Sequence, residues 1–369
     1  MGDWSQLLPD LLAVISRHLS LIEDFVAFRG VCTSWRMAAP KQNFVNLWPT
    51  VPLLMLAEKK DSDDREFYSL SRGKVWNKLS LPETKNKKCM ESRGWLITVG
   101  SGGEMNMLHP LSGVQIELPH QSTFPMYDDR GTSSCFVYVR KAALSAPPSA
   151  SDGFSGFVLM VIYDGGGALG FWRPGDKCWK RVEMQRPWGA FSDVNYYNGK
   201  FYAITYSGRI IVCDVSGPGS MEAQLLFSID IELLLYRVSY LVELAGELLI
   251  VARDGAFVDE DLNYGASNFR VFQLDLINCR WKEVTSLGNS SIFVGYNAAF
   301  SVESAGFPGI IKPNCIYFTD DCIESYYDVE PGGGKDMGIY DVEDGKIERF
   351  DDIRSFSLMG PPVWVAPSS

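Results

Sequence analysis

A strand–turn–strand pattern recurs along most of this 369-residue chain, and it limits the possible folds more than any other feature. Each copy has two short segments of apolar or alternating residues around a turn that is rich in Gly, Pro, Asn or Asp. The six copies lie at residues 67–82, 107–119, 169–184, 210–229, 271–287 and 338–350. Since one such hairpin cannot bury its own apolar face, the copies must stack on one another, which predicts a mainly β repeat architecture.

A further strand candidate precedes most of these hairpins. These candidates lie at residues 94–100, 156–164, 198–205, 246–253 and 315–321. We expect them to be the inner strands of blades with about four strands each. Six hairpins spaced by about 40 to 67 residues therefore predict a six-bladed β-propeller, with seven blades as the alternative.

The last strand candidate, PPVWVAP at residues 361–367, lies where it can pair with the first blade. Such pairing closes the ring and removes exposed sheet edges, which otherwise promote aggregation. Three of the hairpins carry a tryptophan, namely Trp76, Trp179 and Trp281. We expect these side chains to pack between blades rather than to stack on a ligand.

The first 45 residues have a different period, typical of α-helix. Leu8, Leu12, Ile15 and Leu19 recur at spacings of 4, 3 and 4, and Leu11 broadens this stripe. A capping box at residues 20–23 predicts a second helix, and residues 31–39 a third. Three short helices cannot bury all of their apolar side chains against each other. The surplus surface must therefore contact either the rest of the chain or a partner protein.

The composition excludes several classes of function. The net charge of −11 argues against nucleic acid or an anionic membrane as a partner, and no apolar run reaches membrane-spanning length. The start of the chain lacks a basic segment typical of a signal peptide, so we expect the protein in the cytoplasm, the nucleus or both. The eight Cys are scattered singly and there are three His, which predicts buried apolar cysteines, no metal site and no cofactor.

No segment predicts a catalytic residue. The glycine-rich residues 164–170 and 331–336 lack the spacing of a phosphate-binding loop, and no nucleophile elbow is present. Residues 320–352 contain twelve acids and three bases. This acidic stretch has two interpretations: solvated surface loops, or a patch that attracts a basic partner.

The N-terminal residues resemble an F-box. The match consists of Trp4, Leu8, Pro9, Asp10, Leu11, Leu12, Ile15, Leu19, Asp24, Phe28, Arg29, Val31, Cys32, Trp35 and Arg36. The resemblance implies a helical module that binds the Skp-family adaptor of a cullin–RING ubiquitin ligase. The adaptor-binding residues that it implies are Leu8, Pro9, Leu12, Ile15, Leu19, Val31 and Trp35. The alternative is an ordinary helical cap on the second domain.

The rest of the chain resembles the C-terminal β-propeller domain of a large family of plant F-box proteins, through segments such as HPLSGVQIELP, FWRPGDKCW and YYNGKFYAI. The resulting division is an F-box at residues 1–45, a connector at 46–52 and a propeller at 53–367.

The family resemblance implies a non-catalytic substrate receptor of an SCF-type ubiquitin ligase. Its F-box would bind the adaptor, and through it the cullin, and its propeller would bind an unidentified target protein. Two alternatives belong to other classes. One is a non-degradative protein that sequesters its target, and the other is a propeller enzyme or lectin with a carboxylate-lined central channel.

Overall fold

The structure is a computed structural model that describes residues 4–19, 22–40, 51–58, 64–125, 127, 139–215, 217, 221–234, 237–255, 264–296, 298–322, 334–350, 353, 355 and 361–366. It starts with three α-helices: α1 (Pro9–Arg17), α2 (Ile22–Gly30) and α3 (Thr33–Ala38). Pro9 is tolerated at the first position of α1 because its missing N–H would have no partner inside the helix. Short 3-10 turns lie at Trp4–Gln6, Pro82–Thr84, Gln121–Thr123, Ala150–Asp152, Asp164–Gly166, Ile231–Leu233 and Ser304–Gly306.

The described residues after the helices form 26 strands in six sheets, which are the blades of a β-propeller. Blade 1 contains β1 (Leu53–Glu58), β2 (Asp64–Ser69) and β3 (Lys74–Ser80), and blade 2 contains β4 (Lys87–Ser92), β5 (Trp95–Gly100), β6 (Met105–Leu108) and β7 (Gln115–Leu118). Blade 3 contains β8 (Val139–Leu144), β9 (Leu159–Tyr163), β10 (Ala168–Trp172) and β11 (Lys180–Arg181).

Blades 4 and 6 each have a fifth strand. Blade 4 contains β12 (Glu183–Met184), β13 (Phe191–Tyr197), β14 (Lys200–Thr205), β15 (Arg209–Asp214) and β16 (Glu222–Ser228). Blade 5 contains β17 (Val238–Leu244), β18 (Glu247–Arg253), β19 (Phe269–Asp275) and β20 (Arg280–Val284). Blade 6 contains β21 (Ser290–Gly295), β22 (Ala298–Glu303), β23 (Cys315–Phe318), β24 (Gly338–Asp341) and β25 (Ile347–Arg349).

The chain closes the ring with β26 (Val363–Val365), which pairs antiparallel with β1 so that Leu53 faces Val365. The six-bladed prediction and the predicted closing strand are therefore confirmed. All six hairpins found in the sequence are present as the outer part of a blade. Because each blade packs between two others, its middle strands are buried on both faces, as β5 is at all six residues.

The predicted inner strands are in fact the second strands of blades 2 to 5 and, for residues 315–321, the third strand of blade 6. The inner strands, which pack on one another around the axis, are β26, β4, β8, β13, β17 and β22. Blade 6 departs from the common pattern, because β21 pairs parallel with β23 and then turns back as β22 toward the axis. The channel of the propeller is therefore partly filled by an additional strand.

The three tryptophans of the hairpins have packing roles. Trp179 lies 4.6 Å from the ring of Phe124, and its Nε1 donates a hydrogen bond to the carbonyl oxygen of Pro119 at the end of blade 2. Trp281 is half-buried beside Phe272 of its own blade. Trp76 is buried against Phe67, also in its own blade. The expected contact between blades is therefore clearest for Trp179.

The helices contact the propeller at blade 1. Asp24 of α2 forms an ion pair with Arg72, which lies in the turn between β2 and β3. Leu12, Phe25 and Phe28 of the helices belong to the same hydrophobic core cluster as the strands of blade 1. Part of the surplus apolar surface is therefore covered by the chain itself.

Candidate functional surfaces

One face of α1 is apolar and exposed. Leu8 is 66% exposed, Leu11 51%, Val14 50% and Ile15 39%. A helix advances about 100° per residue, so these four positions cover one arc of about 120°. We call Leu11, Val14 and Ile15 of α1, together with Leu8 immediately before its first residue, the α1 apolar face.

Other apolar side chains of the helical module are also exposed. Val31 lies just before α3 and Met37 lies within it, and both are exposed, as is Trp4. Trp35 is half-buried, with its ring 4.4 Å from that of Phe28. Its Nε1 donates a hydrogen bond to the backbone oxygen of Trp4, which holds the segment around Trp4 beside α3.

The structure places most of the expected adaptor-binding residues at the surface. Leu8, Pro9, Ile15 and Val31 are exposed, whereas Leu19 and Trp35 are half-buried. The expectation is corrected for Leu12, because this side chain is fully buried in the core of this chain and is not available to an adaptor. It lies about 40° around α1 from Leu8, toward the buried Ser16 and away from the exposed arc. Adaptor contact by the exposed residues stays a prediction.

A cavity of about 460 Å³ lies on the axis of the propeller. All six blades contribute to its wall. Blades 2 to 5 contribute residues of their inner strands: Glu91 in β4 with Arg93 directly after it, Lys141 in β8, Asp193 and Asn195 in β13, and Glu243 in β17. Blade 6 contributes β22, and blade 1 contributes Ala366, which directly follows β26. Many of these residues stand near the ends of their strands. The cavity therefore lies toward the face of the propeller where the inner strands finish.

Two carboxyl groups of this cavity are buried. Glu91 accepts a hydrogen bond from the backbone N–H of Gly94 at 2.8 Å, and burial raises the pKa of Glu91 to about 8. Asp193 lies 3.6 Å from the Nζ of Lys141 and accepts from the backbone N–H of Leu241. Burial raises the pKa of Asp193, against the opposing effect of Lys141.

The opposite end of the channel is cationic. Lys88, at the start of β4, is buried, and its Nζ donates to the carbonyl oxygen of Val139 at 3.1 Å and to the hydroxyl of Tyr296 at 3.2 Å. Arg140 donates to the hydroxyl of Tyr206 at 3.2 Å. Burial lowers the pKa of Lys88 because the charged form loses its hydration. Sequence patterns gave no sign of this polarity, since charged residues on a strand are usually solvated.

Part of the acidic stretch is buried, which corrects the interpretation of these residues as solvated loops. Arg253 is fully buried between Asp321 and Asp336 and forms an ion pair with each. Asp320 is also buried and accepts hydrogen bonds from the backbone N–H groups of Gly334 at 2.8 Å and Lys335 at 3.0 Å. By contrast, Glu343 and Asp344 are exposed in the turn between β24 and β25.

The cysteines follow the expectation only in part. Cys89, Cys213, Cys315 and Cys322 are buried, but Cys178 and Cys279 are exposed in the outer hairpins of blades 3 and 5. Among the described residues, no group of three or more His, Cys, Asp or Glu is arranged to hold a metal ion. No helix in the described ranges is both long and apolar enough to span a membrane.

The raised pKa of Glu91 predicts a dependence of stability on pH. The folded form binds the proton of Glu91 more tightly than the unfolded form, so stability falls as pH rises from about 4.5 to about 8. Glu91→Gln has no such proton and is expected to be more stable than wild type at pH 9 while matching it near pH 5. Urea unfolding at both pH values measures this. The exposed Glu243→Gln serves as control, and equal pH slopes for wild type and Glu91→Gln would contradict the prediction.

Comparison with known proteins identifies the family. The family described as KIB1-4 beta-propeller matches residues 67–341, which is most of the propeller seen here. The chain belongs to this family. The match begins within β2 of blade 1 and ends with β24 of blade 6, and the helical module and β1 precede it.

Arabidopsis thaliana relatives that match over nearly the whole of this chain are named F-box proteins. F-box protein SKIP23 is 26% identical, and the match covers 99% of this chain and 96% of SKIP23. F-box protein At2g17036 is 26% identical and covers 100% of this chain, with 96% of its own length matched. The resemblance to plant F-box proteins with a C-terminal β-propeller is thus confirmed. Among solved structures, PorZ of Porphyromonas gingivalis aligns with a TM-score of 0.37 at 13% identity over 80% of this chain and 30% of PorZ, too distant a likeness to support an inference.

Proposed function

We propose that this chain is the substrate-recognition subunit of an SCF-type cullin–RING ubiquitin ligase. The α1 apolar face binds the Skp-family adaptor, and the propeller binds the target protein. The observation that carries the proposal is the exposed α1 apolar face on a module with the F-box pattern. The F-box names of the relatives support it.

Physical chemistry supports an interface at this face. Soluble monomers rarely expose large contiguous apolar patches, and those that do use them for binding. The buried side of α1 already lies, through Leu12, in a core that the helices share with blade 1. Its exposed side is then available to a partner without unfolding the module.

The proposed role needs no catalytic group in this chain. A receptor that holds a target beside the ligase raises the effective concentration of the target lysines near the activated ubiquitin. The chemistry belongs to other subunits of the complex. This role places the protein in the cytoplasm, the nucleus or both, and involves neither nucleic acid nor membrane.

Co-purification with the Skp-family adaptor tests the proposal. Leu8→Asp with Ile15→Asp puts two carboxylates on the α1 apolar face, and both positions are exposed, so the fold should persist. We expect the affinity for the adaptor to fall by at least about 30-fold, the effect of losing one interface hot spot. Leu12→Asp is unsuitable because that side chain is buried.

The matched control is Ile277→Asp, the same type of change at a 93% exposed residue in the turn between β19 and β20. It should bind the adaptor like wild type. Failure of folded wild-type protein to bind any adaptor would refute the proposal and favour the helical module as a cap. Target binding whose cellular effect persists in the Leu8, Ile15 variant would favour the sequestration alternative.

A further inference from the structure

We propose that the axial cavity binds a cationic side chain, lysine or arginine, of the target protein. That this side chain belongs to a target protein rests on the proposed function. The cavity, at about 460 Å³, is within the range of roughly 300–1,000 Å³ that is typical of ligand sites. Because all six blades supply its wall, its shape is fixed by the ring rather than by a mobile loop.

The charges of the wall favour a cation. Four carboxylates line the cavity, Glu91, Asp193, Glu243 and Glu303, against two bases. Lys141 is held by Asp193, and its Nζ also donates to the carbonyl oxygen of Gly295 at 3.2 Å.

The second base is also occupied. Arg93 donates to the carbonyl oxygen of Leu144 at 2.9 Å and lies over the ring of Tyr196. Within the described part of the chain, Glu91, Glu243 and Glu303 have no ion-pair partner of their own. Glu243 and Glu303 therefore give the site a surplus of negative charge, to which Glu91 adds as it loses its proton near pH 8.

The rest of the wall suits the apolar stem of a long basic side chain. Phe300 and Phe307 contribute aromatic surface, and Ala298 and Ala299 leave space beside them. Lysine and arginine carry an apolar stem with a charged head, so stem and head both find complementary surroundings. A small inorganic cation would leave the apolar part of the cavity unused.

Glu91 is the expected partner of the charged head. It is the deepest unpaired carboxyl, with 4% of its surface exposed. Burial holds its pKa near 8, so an entering cation restores the charged form that burial disfavours. The charged groups around it in the cavity are Arg93, Lys141, Asp193, Glu243 and Glu303. Binding should therefore strengthen as pH rises from 6 to about 8.

The position of the cavity fits a substrate receptor. In blade 1, β26 and β2 run in the same direction because both pair antiparallel with β1. The turn after β2 carries Arg72, the contact of α2, and so lies on the face where β26 finishes. The helical module and the end of the channel that holds the cavity thus share one face of the propeller.

Binding of two small probes tests the inference in the full-length protein. Nα-acetyl-arginine amide carries the cation, and Nα-acetyl-citrulline amide is its neutral counterpart of nearly equal shape. We expect isothermal titration at pH 8 to show binding of the arginine probe at least about tenfold tighter than of the citrulline probe, as a charge-assisted hydrogen bond allows. Glu91→Gln should remove this preference, whereas Glu117→Gln, at an exposed position on β7, should retain it.

A second variant keeps the test decisive if Glu91→Gln does not fold. The double variant Glu243→Gln, Glu303→Gln changes two exposed residues at the rim of the cavity and should also weaken binding of the arginine probe. Equal affinity for the two probes, or an arginine preference that survives both cavity variants, overturns the inference. Adaptor co-purification is measured separately, so loss of adaptor binding with intact probe binding would refute the ligase role and leave the cavity site standing.

Discussion

Replacing Trp364 by alanine is expected to lower the free energy of unfolding by about 3–5 kcal/mol, the range for a fully buried large aromatic residue. Trp364 is 0% exposed and lies in β26, the strand that closes the ring. Its ring is 5.1 Å from that of Phe293 and 6.2 Å from that of Tyr317, both in blade 6. One side chain therefore joins blade 1 to blade 6 where the ring is closed.

Urea unfolding followed by circular dichroism measures this effect. The control is Trp281→Ala, because Trp281 is also a blade tryptophan but is half-buried at the outer hairpin of blade 5. It should cost clearly less. The Trp364 variant should also aggregate more readily at partial denaturation, because loosening β26 exposes the edge of β1. Equal losses of unfolding free energy for the two variants would show that Trp364 in the closing strand stabilises the protein no more than a tryptophan of an outer hairpin.

Arg253→Met is expected to cost about 3–5 kcal/mol, the usual effect of removing one partner from a buried ion pair. Arg253 is fully buried and its two ion-pair partners, Asp321 and Asp336, are also buried. It further donates to the carbonyl oxygen of Thr319 at 2.7 Å. Methionine fills much of the same volume but has no charge to pair with the two carboxylates. Asp336 keeps Arg349 as its other ion-pair partner, so the lost counter-charge affects mainly Asp321.

A matched surface pair supplies the control. Arg270 pairs with Glu283 through two hydrogen bonds of 2.7 Å, but both side chains are partly exposed, so Arg270→Met should change stability by no more than about 1 kcal/mol. Adding Asp321→Asn to Arg253→Met should recover part of the loss because it removes the uncompensated charge. If the two arginine variants lower the free energy of unfolding equally, the buried ion pairs of Arg253 contribute no more to stability than the surface pair.

The outer hairpins and the closing strand were predictable because their apolar residues alternate around clear turns, as in residues 271–287. The inner strands were not predictable in the same way. β8 contains Arg140 and Lys141, and β13 contains Asp193, which are unusual residues for the centre of a protein. Their charges are tolerated because partners from other blades surround them, and those partners are distant in sequence. The additional strand β22 was missed for a related reason, since its place depends on the channel that the other blades create.

The helical module shows a similar limit. The spacing of Leu8, Leu12, Ile15 and Leu19 correctly indicated a helix with an apolar stripe. Periodicity alone does not say which edge of a broad stripe faces the neighbouring helices. The packing of α3 against α1 decides this, with Leu12 inside and Leu11 and Val14 outside. The surface proposed for the adaptor therefore needed the three-dimensional arrangement as well as the motif.

The pairing of β26 with β1 also fixes an order of events during biosynthesis. The helical module and β1 leave the ribosome before the other strands of the ring, and β26 comes roughly 300 residues after β1, or about 15–60 s later at usual rates of translation. Throughout that interval, β1 lacks the neighbour that completes its sheet. A nascent chain can thus display its N-terminal helices well before its ring of blades is complete.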